Sequence, residues 1–120
     1  MVNWGIYTQW DRTAKGLPKL IRRTREVPAE IDIEFGYTLE FKGAKGALIS
    51  FEMKHPPFCD DRGEVLPDFT GEQIINSNEW RFFLGDTVWA PAEDKCGVWE
   101  LITYLDDEEV ARERFTLFLP

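Results

Sequence analysis

One short stretch of the sequence carries the side chains that covalent catalysis would need. His55, the only histidine, is followed by Cys59 and then by Asp60 and Asp61. An imidazole and a carboxylate beside a thiol can activate a cysteine nucleophile. The spacing matches no nucleophile motif, however, and adjacent carboxylates disfavour the thiolate. We interpret the stretch as a polar loop in which His55, Asp60 and Asp61 are candidate binding residues, and a hydrolase centred on His55 and Cys59 is the least favoured function.

Metal and phosphate sites are not predicted. A structural zinc site takes four Cys or His ligands, whereas the chain has one histidine and two cysteines. The acidic runs 60–64 and 106–109 lack the alternate ligand spacing of an EF-hand calcium loop. No helix pattern follows the glycine-containing link 43–46, so it does not resemble a phosphate-binding loop. We therefore expect no metal and no cofactor.

Tryptophan is unusually abundant, with five residues in a chain that is 14% aromatic. Trp89 lies in a loop-like stretch before a proline, and Trp10 ends the first predicted strand. Exposed indoles beside carboxylates would suit stacking on sugar rings or the centre of a protein interface. Burial of these rings in the core is the simpler interpretation. Trp10 and Trp89 are accordingly candidate binding residues.

Charge is distributed unevenly along the chain. The net charge of −8 opposes binding to nucleic acid. Residues 1–25 nevertheless hold six basic side chains and one acidic, while residues 26–120 hold eight basic and twenty-one acidic. This basic segment, with Arg22 and Arg23 at its centre, has two interpretations. It is either a solvated edge strand protected from pairing, or a docking site for an acidic partner or a second copy of the chain.

The cellular compartment is predicted from what the chain lacks. Its start shows no basic segment followed by an apolar core and a cleavage site, and no apolar run approaches 18 residues. We therefore expect a cytoplasmic protein that does not contact a membrane. In a reducing compartment Cys59 and Cys96 are expected to be free thiols.

The elements that position these residues are strands. Apolar residues alternate with polar or small ones along residues 31–41 and again along 47–53, which predicts two strands with one buried face each. The short link 43–46 predicts that they pair as an antiparallel hairpin. A second hairpin is predicted from residues 98–105 and 111–119 around the acidic turn 106–108.

Other segments predict further strands with less regular patterns. Residues 2–10, 19–27 and 80–84 are typical of strands, residues 85–86 of a turn and residues 91–97 of a loop. Residues 70–78 fit either one helical turn or a strand. The whole chain, 1–120, therefore predicts a single all-β domain: a two-layer antiparallel β-sandwich, immunoglobulin-like, with six to eight strands. A closed barrel remains open, since spacing alone does not decide closure.

Several stretches resemble a known family. The closing segment from Gly97-Val98-Trp99 through Asp106-Asp107-Glu108 to Phe115-Thr116-Leu117 is similar to the last hairpin of immunoglobulin-like sandwiches. With Trp4-Gly5-Ile6-Tyr7, Glu34-Phe35-Gly36 and His55-Pro56-Pro57, most of the chain resembles an uncharacterised bacterial family of such domains, domain of unknown function 3859. The resemblance implies the fold, and it brings no catalytic residues to this chain.

The residues and the resemblance together favour a non-enzymatic binding or interaction module. The expected partner is another protein or a second copy of the chain, as in a homodimer. The alternative is a carbohydrate- or small-ligand-binding sandwich that uses exposed tryptophans.

Overall fold

A computed structural model describes residues 1–9, 16–58 and 62–120, which form nine strands and one short 3₁₀ helix (Ala92–Lys95). The strands are β1 (Asn3–Tyr7), β2 (Leu20–Arg22), β3 (Glu26–Pro28), β4 (Glu34–Lys42), β5 (Leu48–Lys54), β6 (Phe69–Ile74), β7 (Glu79–Thr87), β8 (Gly97–Leu105) and β9 (Glu108–Phe118). No helix within these described ranges is long and apolar enough to cross a membrane.

The strands form two sheets packed face to face. One sheet has four strands in the order β2-β1-β4-β7, and the other has five in the order β3-β9-β8-β5-β6. Each strand pair is antiparallel except β3 with β9, which is parallel. The predicted all-β, two-layer sandwich is therefore confirmed.

The first predicted hairpin is wrong. β4 pairs with β1 and β7, whereas β5 belongs to the other sheet and pairs with β6 and β8. The link between them crosses from one layer to the other. Its Gly43 and Gly46 amides donate to the carbonyls of Asn78 and Ile75, in the link between β6 and β7. Alternation identified both strands but carries no information about which strand each one pairs with.

Two further boundaries differ from the prediction. Residues 19–27 divide into β2 and β3, which lie in different sheets, and this division brings the strand count to nine. The expected turn at residues 85–86 is absent because β7 continues through it, with Gly85 opposite Gly36 of β4.

Residues 69–74 form a strand, and the second hairpin is confirmed as β8 and β9. Its turn has positive φ at Asp106 and Asp107, 47° and 69°, as expected for a tight hairpin turn.

The core between the sheets is aromatic. Trp99 is fully buried in the centre of the core. The Phe35 ring lies edge-on to Trp99 with 5.3 Å between ring centres, and the centre of the Phe115 ring lies 5.7 Å from that of Phe35. The hydroxyls of Tyr37 on β4 and Thr103 on β8 are 2.6 Å apart, so one buried hydrogen bond joins the two layers. Burial raises the pKa of the Tyr37 phenol, which keeps this bond between neutral groups.

The outer face of β4 is buried as well, contrary to the expectation that one face meets water. Residues 34–39 are all buried. Gly36 lies in register between Gly5 of β1 and Gly85 of β7. Gly85 leaves room for the Phe83 ring, which meets the Tyr7 ring edge to face at 4.9 Å on this face. A second, smaller apolar layer therefore covers the four-stranded sheet.

Candidate functional site

His55 anchors the loop that follows β5. Its Nδ1 lies 2.8 Å from the carbonyl oxygen of Pro56, and its Nε2 lies 2.7 Å from that of Pro67. The ring stacks on Phe58 at 4.3 Å. A neutral imidazole donates from one nitrogen only, so the tautomer decides which of the two carbonyls accepts a hydrogen bond. Both nitrogens thus lie against carbonyl oxygens of the loop. The other members of the predicted cluster, Cys59, Asp60 and Asp61, lie outside the described residues.

Trp89 contacts a buried lysine that sequence reasoning missed. Lys95 is 1% exposed, and its Nζ lies 4.4 Å from the centre of the Trp89 ring and 4.7 Å from that of Phe58. The ammonium also donates to the carbonyl oxygen of Pro91 at 3.1 Å and to Asp94 at 2.5 Å. Because a cation of the protein already occupies this ring face, Trp89 is part of a closed cluster rather than an open platform.

The other described tryptophans are also covered in part or in full. Trp99 lies in the core, and Trp4 is covered by the guanidinium groups of Arg23 and Arg25, at 4.5 and 4.8 Å. Trp80 is partly buried, and its Nε1 finds no hydrogen-bond partner in the parts of the chain that the structure describes. Trp10 lies outside those parts. Sugar stacking on the four described indoles is therefore not favoured.

The predicted residues Arg22 and Arg23 come together with other cations at one margin of the molecule. β2 is the last strand of its sheet, and one of its two apolar side chains, Ile21, is 65% exposed. We call the surface around it the basic edge, and its exposed residues are Lys19, Ile21, Arg22, Arg23 and Arg25.

Two of these arginines are held in place. Arg23 donates to the Asn3 side chain at 2.5 Å, and Arg25 donates to Glu113 of β9 through two nitrogens, at 2.9 and 3.3 Å. The hydrogen bond to Glu113 raises the pKa of the Arg25 guanidinium. Arg22 and Lys19 form no ion pair with any residue that the structure describes. The basic edge thus combines fixed and available cations.

The opposite margin carries an acidic groove. β6 is the last strand of the five-stranded sheet, and beside it a shallow groove of about 570 Å³ runs over the outer face of β5, β6 and β8. Its polar lining consists of Ser50, Glu52, Thr70, Glu72 and Tyr104. The Tyr104 hydroxyl donates to Glu52 at 3.3 Å. Partial burial and this nearby carboxylate raise the pKa of the Tyr104 phenol, so the groove offers two carboxylates and three hydroxyls.

A third concave surface, the β7 cleft, follows the free edge of β7. It also has a volume of about 570 Å³. Its polar side chains are Gln73 and Arg81. Its apolar side chains are Leu17, Phe51, Met53, Trp80, Phe82, Phe83 and Leu84. Arg81 is paired with Glu40 at 3.5 Å, so the cleft is chiefly apolar.

Two sheets of four and five strands packed around Trp99 define an immunoglobulin-like β-sandwich. Among solved structures the chain is similar to an immunoglobulin-like protein from Pseudomonas aeruginosa, with a TM-score of 0.75 and 18% sequence identity over 98% of this chain and 92% of that one. At this identity the likeness shows the fold alone.

The chain belongs to the family described as Domain of unknown function (DUF3859), whose model matches residues 1–117. A DNA-bound alkylpurine DNA glycosylase, AlkC from Pseudomonas fluorescens, matches over 78% of this chain and 27% of its own, with 10% identity and a TM-score of 0.43. No curated protein sequence matches the chain.

Proposed function

We propose that the chain is a non-enzymatic interaction module whose basic edge binds an acidic protein surface. The observation that carries this proposal is the set of four exposed cations around the exposed Ile21, on the last strand of a sheet, in a chain of net charge −8. A concentration of positive charge on an otherwise acidic protein attracts acidic partners and repels basic ones.

The backbone of β2 supports the same proposal. A terminal strand presents unpaired amide and carbonyl groups, and proteins place Lys and Arg there to prevent indiscriminate pairing. The Lys and Arg side chains of the basic edge attract a partner that supplies carboxylates and repel a basic one. This difference in affinity is what discriminates between the two partners. The basic edge therefore selects which strand or loop can dock on it.

The restraint on two of the cations lowers the entropy cost of binding. Ordering a long side chain at an interface costs about 0.5–1.5 kcal/mol, and Arg23 and Arg25 are already held by Asn3, Trp4 and Glu113. The fork of an arginine can bind a carboxylate through two parallel hydrogen bonds. Arg22 and Lys19, which have no ion-pair partner among the described residues, supply the new contacts.

The test is fluorescence anisotropy with a labelled glutamate dodecapeptide as the acidic probe. The Lys19→Glu/Arg22→Glu variant changes only exposed cations of the basic edge and is expected to weaken binding at least about tenfold. This loss corresponds to about 1.4 kcal/mol.

The matched control is Lys45→Glu/Lys54→Glu, which makes the same change of charge at exposed positions elsewhere and is expected to bind like the wild type. Added salt should weaken the wild-type binding, because exposed charges are screened over about 10 Å at 0.1 M. Equal affinities for both variants would overturn the proposal.

The β7 cleft favours a second candidate function, the binding of a small apolar ligand. Its volume of about 570 Å³ lies within the range of ligand pockets, and its apolar lining is typical of them. Filling it with Gln73→Trp should abolish fluorescence enhancement of the dye 8-anilinonaphthalene-1-sulfonate, whereas the exposed Asn76→Trp should not. Equal enhancement in both variants would exclude the cleft as the dye site.

A further inference from the structure

The two sheets end in terminal strands of opposite character. β2 closes one side of the four-stranded sheet, and its exposed side chains are basic or apolar. β6 closes one side of the five-stranded sheet, and its outer face carries Thr70, Glu72 and Ile74, which the register places beside Glu52, Ser50 and Leu48 of β5. Each strand has a paired neighbour on one side only.

The two margins lie on opposite sides of the sandwich. On one side, Trp4 of β1 lies under Arg25, which binds Glu113 of β9. On the other, Phe82 of β7 lies over Phe51 of β5 at 6.0 Å between ring centres. β2 therefore lies at the β9 side and β6 at the β7 side. One copy cannot bring its own β2 and β6 together.

Resting on the proposed function, we infer that the acidic surface bound by the basic edge is the acidic groove of a second copy. The occupant of the groove is thus the β2 margin of another molecule of this chain. Charge argues for it, since the available cations of Lys19 and Arg22 meet the carboxylates of Glu52 and Glu72.

Apolar exposure argues for the same occupant. Ile21 is 65% exposed on β2 and Ile74 is 50% exposed on β6, so each charged margin carries one large apolar side chain that water covers in a single copy. Docking removes both from water together, and the strand edges can share backbone hydrogen bonds as in strand addition.

The contact is head to tail, because the two surfaces differ. Such an interface repeats into an open chain or closes into a ring, and it does not produce a two-fold symmetric dimer. With only three residues in β2 the interface is small, so association is weak, dependent on concentration and sensitive to salt.

The test uses two charge-reversed variants and measures mass by sedimentation at low salt over a range of concentrations. Lys19→Glu/Arg22→Glu makes the basic edge acidic, and Glu52→Lys/Glu72→Lys makes the acidic groove basic. The wild type is expected to increase in mean mass with concentration, and each variant alone is expected to stay monomeric. A one-to-one mixture of the two should associate again, because each edge then finds a groove of opposite charge.

The matched control, Glu30→Lys/Glu93→Lys, changes two exposed acidic residues away from the groove and should associate like the wild type. A wild type that stays monomeric, a mixture that fails to associate, or a control that loses association would each overturn the inference.

The peptide experiment separates the two proposals. If the wild type is monomeric and Lys19→Glu/Arg22→Glu still loses the glutamate peptide, the partner is a different acidic protein and the proposed function stands. If that variant retains the peptide, the proposed function fails as well.

Discussion

At the scale of single residues, the least expected feature is the buried ammonium of Lys95. Burying a charge is costly unless the charge is paired and hydrogen-bonded. Here Asp94, the Pro91 carbonyl and the faces of Phe58 and Trp89 surround it. The contacts tie the 3₁₀ segment to the loop after β5. Lys95 is therefore assigned a structural role.

Removing only the partner of this lysine should destabilise the fold. Asp94→Ala leaves the ammonium buried without its carboxylate, and we expect a loss of about 1–3 kcal/mol in the free energy of unfolding, measured by urea denaturation. Asp94→Ala/Lys95→Met should recover most of that loss, because a methionine of similar length leaves no unpaired charge. A double variant as unstable as the single one would contradict this account.

Tyr37 makes stability depend on pH in the alkaline range. Burial raises the pKa of its phenol above the ordinary value. Below about pH 10 the phenol is protonated in both the folded and the unfolded chain. Above that pH the unfolded chain loses the proton first, so folding stability falls as pH rises. Urea denaturation between about pH 8 and pH 11 should show a steeper fall for the wild type than for Tyr37→Phe; equal slopes would exclude this cause.

Sequence reasoning reached some of these residues and missed others for physical reasons. His55 was predicted as a candidate binding residue because it is the only histidine. Arg22 and Arg23 were predicted because the distribution of charge can be read directly from the sequence. Lys95 gave no signal, since its burial depends on Phe58, which comes from a distant part of the chain. The exposure of Trp89 could not be predicted from the sequence either, because it depends on the Lys95 ammonium that lies over the ring.

At the scale of elements, the glycine row across three strands holds the second apolar layer in place. A Cβ on Gly36 would lie 2.1 Å from the carbonyl oxygen of Leu84, and the residue has φ of 155°. Neither the backbone of β7 nor this conformation accommodates a larger side chain. On the same row, a Cβ on Gly85 would lie 2.6 Å from the Phe83 ring.

Gly36→Ala is therefore expected to be severely destabilising, by more than about 3 kcal/mol, since it combines strain with a backbone clash. Gly43→Ala is the comparison, because Gly43 also has positive φ, 68°, but nothing lies within 4 Å of its added Cβ. It should cost about 1 kcal/mol. Thermal unfolding followed by circular dichroism measures both, and similar midpoints for the two variants would contradict the role of the glycine row.

Strand existence could be predicted from the sequence far better than strand pairing. The β8 and β9 hairpin was found because two alternating segments flank a short acidic turn. The link between β4 and β5 looks equally short, yet it crosses the sandwich. Gly85 and Asp86 were mistaken for a turn, because a glycine that faces another glycine across a sheet has the same local sequence as one in a turn.

At the scale of the whole molecule, the net charge of −8 conceals a separation of charge between two margins. The basic edge lies at the last strand of one sheet and the acidic groove at the last strand of the other, on opposite sides of the sandwich. Within a single copy the two surfaces therefore cannot contact each other. The summed charge alone predicted only that nucleic acid would be a poor partner. The sequence also placed basic charge in residues 1–25, and the fold adds that β2 and the acidic groove beside β6 lie at different margins.

A ¹⁵N-HSQC titration of the wild-type protein with the glutamate dodecapeptide locates the binding surface residue by residue. Binding at the basic edge should give amide shifts that saturate together and concentrate in residues 19–25, with the amides near Lys42 and Lys45 unmoved. Shifts spread over the whole surface, or centred on those two lysines, would contradict the claim that the basic edge is the binding surface.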